Sequence, residues 1–132
     1  VVAGSLFWQL LLGSLVMLIF GYMGEAGVMA ALPAFIIGMA AWLYMIYVLY
    51  MGAGKTVVAT TSASVQTAYN SMLLIIVVGW SIYPLGYVFG YLMGAVDAET
   101  LNLIYNLADF INKILFGLVI WKAAVDDNKQ TA

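Results

Sequence analysis

Three long stretches without a charged side chain, residues 1–24, 26–54 and 56–96, constrain this sequence more than any other feature. A helix needs about 20 mostly apolar residues to cross a bilayer, and each stretch exceeds that length. The ten charged residues fall between and after them: Glu25, Lys55, Asp97, Glu99, Asp109, Lys113, Lys122, Asp126, Asp127 and Lys129. Soluble domains are about half apolar and about a quarter charged. A chain that is 66% hydrophobic and 8% charged has more apolar surface than a water-soluble globule of this size can cover. The fold class is therefore an all-α membrane protein, with helices at about 4–23, 29–51, 64–93 and 101–124.

The breaks between these helices suit their positions. Gly24-Glu25-Ala26-Gly27 is a short polar turn, and Gly52-Ala53-Gly54-Lys55 ends the second helix. Thr60-Thr61-Ser62-Ala63-Ser64 supplies capping hydroxyls for the third, and Asp97-Ala98-Glu99-Thr100 precedes the fourth. Four crossings place Lys55, Lys122 and Lys129 on one side and Glu25, Asp97 and Glu99 on the other. The positive-inside rule then makes the lysine side, with the C-terminus, cytoplasmic. The chain opens on Val1-Val2-Ala3-Gly4, directly into a helix, which reads as the rear portion of a longer protein.

Composition removes several chemistries. Without Cys, His or Arg there is no disulfide, no thiolate or imidazole metal site and no guanidinium clamp. No metal and no enzymatic role is expected. Four lysines and a net charge of -2 lack the basic footprint that nucleic acid requires.

The remaining chemistry concentrates in the fourth helix. Lys113 lies near the middle of the span, too far from either end to snorkel easily, where a lysine costs about 2.5–3.5 kcal/mol on insertion scales. Asp109 precedes it by four residues, so both project from one helical face. A structural ion pair explains the spacing. So does a working amine, because desolvation favours the neutral, nucleophilic form of a lysine that meets a carbonyl. On the third helix, Trp80, Tyr83 and Tyr87 recur around Pro84 as one aromatic stripe, either ordinary core or the wall of a flat apolar ligand. Pro84 permits a kink there. Gly86, Gly90 and Gly94 read as a ridge for close helix packing.

The segments YNLADFINKILFG at 105–117 and GWSIYPLGY at 79–87 resemble the microbial (type 1) rhodopsins. GYMGEAG at 21–27 and PAFIIG at 33–38 carry the resemblance over essentially the whole chain. It implies helices four to seven of a seven-helix retinal-protein bundle, part of a light-driven pump that exports protons across the bacterial inner membrane. By position, Lys113 matches the lysine that forms the Schiff base with all-trans retinal, and Asp109 matches a counterion aspartate. Trp80, Tyr83, Pro84 and Tyr87 match the sixth-helix wall of the pocket, and Asn112 a position near the attachment point. Met17 and Gly21, and Phe35, Gly38, Met39 and Trp42, match pocket positions more loosely; each serves equally as packing. The resemblance also implies membrane lipid as surroundings, N-terminal helices as partners, and assembly as a homo-oligomer. In the family those front helices carry the proton acceptor, its arginine, the proton donor and a histidine, so residues 1–132 alone are not expected to pump. A pump for another ion, a photosensory protein, and a retinal-free helix bundle held by Asp109–Lys113 remain open.

Overall fold

The computed structural model of the protein describes residues 4–131. They form α1 (Gly4–Glu25), α2 (Ala31–Tyr50), α3 (Ala53–Val58), α4 (Ala63–Val77), α5 (Ile82–Tyr87) and α6 (Ala98–Thr131). No strand occurs among the described residues. Four runs are long and apolar enough to cross a membrane: Gly4–Glu25, Ala31–Val58, Ala63–Leu92 and Ala98–Lys129. Large apolar side chains point outward throughout, Leu18, Ile36, Leu103 and Trp121 among them. A helix apolar on every side belongs in lipid or against other protein, not in water.

The spans alternate in direction and pack in sequence order. At one end the Tyr69 hydroxyl of α4 donates to the Leu49 carbonyl of α2 at 2.6 Å, and Ser64 of α4 donates to Asp127 of α6 at 3.0 Å. At the opposite end the Tyr87 hydroxyl of α5 donates to the Ala31 carbonyl at the start of α2, at 3.0 Å. The α1–α2 seam closes where side chains are small. Gly13 faces Met45, Gly38 lies against the Met17 and Gly21 backbone, and Gly24 faces Ala34 and the Tyr87 ring. Small residues let membrane helices approach closely where no hydrophobic effect drives them together.

Three local features depart from the sequence expectation. The segment after Gly52 does not simply end a helix, because residues 53–58 wind into the short helix α3 before the Thr60–Thr61 turn. The third span is not one uniform helix. A 3-10 turn at Gly79–Ser81 and a π-helical turn at Val88–Leu92 bracket α5. Pro84 has no N–H to offer the Trp80 carbonyl, so the regular ladder breaks one turn before it. α6 runs past residue 124 to Thr131, carrying the Lys122–Asp126 ion pair at 2.5 Å on its last turns. At about 1.5 Å per residue this helix outruns the roughly 30 Å apolar core of a bilayer.

The caps are local chemistry. Ser62 adopts an extended conformation and its hydroxyl accepts the Val65 N–H at 3.4 Å, starting α4. Asp97 starts α6: its carboxylate accepts the Thr100 N–H at 2.9 Å and the Thr100 hydroxyl at 2.8 Å. Those two donors hold the Asp97 carboxyl below its ordinary range. Gly94 is not part of the packing ridge. It turns the chain at φ +63° with open space around it, a conformation that disfavours other residues. Gly86 and Gly90 do form the ridge, and Leu101 packs into both.

Candidate functional site

The stripe of α6 that meets α4 and α5 is set by spacings of four and three. Leu101, Ala108 and Asn112 are buried and Tyr105 half-buried along it. Asp109 and Lys113 stand one position round the helix from that stripe. The Lys113 amine donates to Asp109 Oδ2 at 2.5 Å, and the two side chains are 75% and 43% exposed. Within the four described spans the amine is not enclosed. Lys113 stands on a face of α6 that no described helix covers, because the packed stripe points its neighbours the other way. By position the pair is still central, about 22 Å along the helix from Ala98.

Tyr83 reaches this pair from α5. Its hydroxyl donates to the other Asp109 oxygen, Oδ1, so the carboxylate is held by an amine on one side and a phenol on the other. Charge-assisted bonds of this kind are the strong ones. Tyr105 lies one turn before Asp109. Its hydroxyl donates to the Tyr83 carbonyl at 3.0 Å, and the two rings lie 5.5 Å apart, tilted by 46°. Tyr105 was missed in the sequence, although the spacing of four that links Asp109 to Lys113 also links Tyr105 to Asp109.

The other candidates separate. Asn112 turns into the helix packing: its amide donates to the Gly79 carbonyl at 3.1 Å, and its oxygen fills the space where a Gly79 Cβ would stand. Trp80 lines a cavity of about 230 Å³ with Leu10, Ser14, Met45, Tyr69 and Phe116. Tyr87 is buried and turned away from Asp109 toward α2, stacked on Phe35 with ring centres 5.4 Å apart. The aromatic stripe thus divides, with Tyr83 serving α6 and Tyr87 serving α2. Trp42 donates from its indole to the Ile76 carbonyl at 3.2 Å, close to the break before Pro84. Met17, Gly21 and Gly38 meet along the α1–α2 seam, and Met39 is half-buried on α2.

A family profile described as "Bacteriorhodopsin-like protein" matches residues 3–127. The chain belongs to this family. It is a microbial rhodopsin chain matching the C-terminal helices of its relatives. Over 130 residues it is 66% identical to the green-light absorbing proteorhodopsin of Gamma-proteobacterium EBAC31A08, covering 98% of this chain and 52% of that protein. Over 131 residues it is 67% identical to the blue-light absorbing proteorhodopsin of Gamma-proteobacterium Hot 75m4, with the same coverage. The crystal structure of the blue light-absorbing proteorhodopsin from Med12 superposes with a TM-score of 0.79 at 47% identity, over 93% of this chain and 56% of that one. This rhodopsin chain spans about half the length of the curated relatives it matches.

Proposed function

We propose that this chain is the retinal-bearing C-terminal part of a light-driven proton pump in a bacterial membrane. The single observation that carries the reading is the mid-span Lys113 amine, paired with Asp109 and facing out of the four-span arrangement. A lysine and an aspartate at that depth are costly against lipid. They suit a face closed by further protein and a bound group. The residues present fit retinal: an accessible primary amine to hold the pigment covalently, and a carboxylate within reach as counter-charge. Tyr83 adds an aromatic ring and a hydroxyl on that carboxylate. Bound retinal supplies light absorption and a change of shape on excitation. Asp109 holds the compensating negative charge, Tyr83 orients it, and Lys113 fixes the attachment at mid-depth. The proton acceptor and donor belong to front helices, so pumping is a property of the complete protein. The relatives' printed names, green- and blue-light absorbing proteorhodopsins, support the pigment. The distribution of Lys55, Lys122 and Lys129 supports a cytoplasmic C-terminus.

The test adds all-trans retinal to the complete protein in lipid vesicles. A visible absorption band is expected in the wild type and absent in Lys113→Ala, and illumination is expected to acidify one side until a protonophore is added. A band that survives in Lys113→Ala overturns the attachment. No band in the wild type favours a retinal-free bundle, and a band without proton movement favours a photosensory protein or a pump for another ion.

A further inference from the structure

Three polar bonds run from one face of α6 to the irregular stretch 79–83. Asn112 donates to the Gly79 carbonyl, Asp109 accepts from the Tyr83 hydroxyl, and Tyr105 donates to the Tyr83 carbonyl. Tyr83 is therefore gripped at both its backbone and its side chain by residues one turn apart on the same helix. Its backbone lies between the 3-10 turn and Pro84, where the regular ladder is interrupted and cannot alone hold it in place. A hydrogen bond weakens steeply with misalignment, so a small tilt of this backbone, carried along the phenol, reaches the carboxylate. The space for the Tyr105 ring exists because residue 86 is glycine: a Cβ there would stand 2.7 Å from Tyr105 Cε1 and 2.9 Å from its hydroxyl oxygen.

We propose that Tyr105 is a positioning residue for the Asp109 carboxylate, acting through Tyr83. Its hydroxyl fixes the Tyr83 backbone and thereby the phenol that bonds Asp109. The ring alone, left in place by phenylalanine, does not do this.

The test uses the complete protein in lipid, with aspartate labelled by carbon-13 at the side-chain carboxyl. The Asp109 carboxylate stretch is assigned by infrared difference against Asp109→Asn. Tyr105→Phe is expected to shift that stretch, and in the Tyr83→Phe background the same substitution is expected to lose its effect. A packing role would not depend on the Tyr83 hydroxyl. Gly86→Ala, which displaces the Tyr105 ring, is expected to shift the stretch in the same sense as Tyr105→Phe. An unmoved stretch in Tyr105→Phe, or equal shifts with and without the Tyr83 hydroxyl, overturns the proposal. The infrared measurement needs no pigment, so it decides this point whether or not retinal binds. With retinal bound, the visible maximum is expected to move in Tyr105→Phe and not in the Tyr83→Phe background.

Discussion

Alanine at Gly24 sets two known effects against each other. In an unencumbered helix, replacing glycine with alanine gains about 0.8–1.0 kcal/mol. Gly24 is encumbered. A Cβ there would run into the Tyr87 hydroxyl and lie 2.8 Å from the Ala34 Cβ and 3.1 Å from Tyr87 Cζ. Neither neighbour yields easily. Ala34 is a methyl group fixed to the α2 backbone, and Tyr87 is 4% exposed and stacked on Phe35. Overpacking of this kind costs about 1–3 kcal/mol. Displacing the phenol also breaks its bond to the Ala31 carbonyl, costing about 0.5–1.5 kcal/mol. The balance predicts that Gly24→Ala destabilises by about 1–3 kcal/mol, opposite in sign to the propensity effect. Tyr87→Phe removes the atom that meets the new methyl first, so the double variant is expected to cost about 1 kcal/mol less than the two single changes together. Unfolding of the complete protein by a denaturing detergent in bicelles, followed by far-ultraviolet circular dichroism, measures all three variants. A Gly24→Ala protein as resistant as wild type, or strictly additive costs, would refute the packing argument.

Ser62→Ala removes the α4 cap and is expected to cost about 0.5–1 kcal/mol in the same titration, at the low end because the bond is long. Asn112→Ala frees the Gly79 carbonyl and leaves a void, and about 1 kcal/mol of destabilisation is expected; membrane helix–helix hydrogen bonds average about 0.6 kcal/mol. Asp97 gives a pH dependence. The Thr100 donors depress its folded pKa, so its stabilising contribution is present above the ordinary carboxylate range of about 4 and is lost as pH falls through the lower folded value. Asp97→Asn is expected to flatten that acid limb, and a limb unchanged by the substitution would assign the dependence elsewhere.

The spans were readable because bilayer-crossing length and charge exclusion are properties of a single stretch of chain. The same holds for the Ser62 cap and the glycine ridge at 86 and 90. What the sequence left hidden depends on neighbours. Pro84 announces a kink, but the 3-10 turn before it coincides with outside donors on the Ile76 and Gly79 carbonyls, and those donors sit on α2 and α6. A spacing of four placed Lys113 beside Asp109 correctly and was silent about which side of α6 would be covered. That side is settled by the buried stripe through Ala108, on which Leu101, Tyr105 and Asn112 pack against Gly79, Gly86 and Gly90 opposite. The packed stripe therefore turns the ion pair outward as a geometric consequence. The two features belong together: the tighter α6 seats its apolar seam on the glycines, the more firmly it presents one amine and one carboxylate at mid-depth, on a surface where lipid alone is a poor solvent for either.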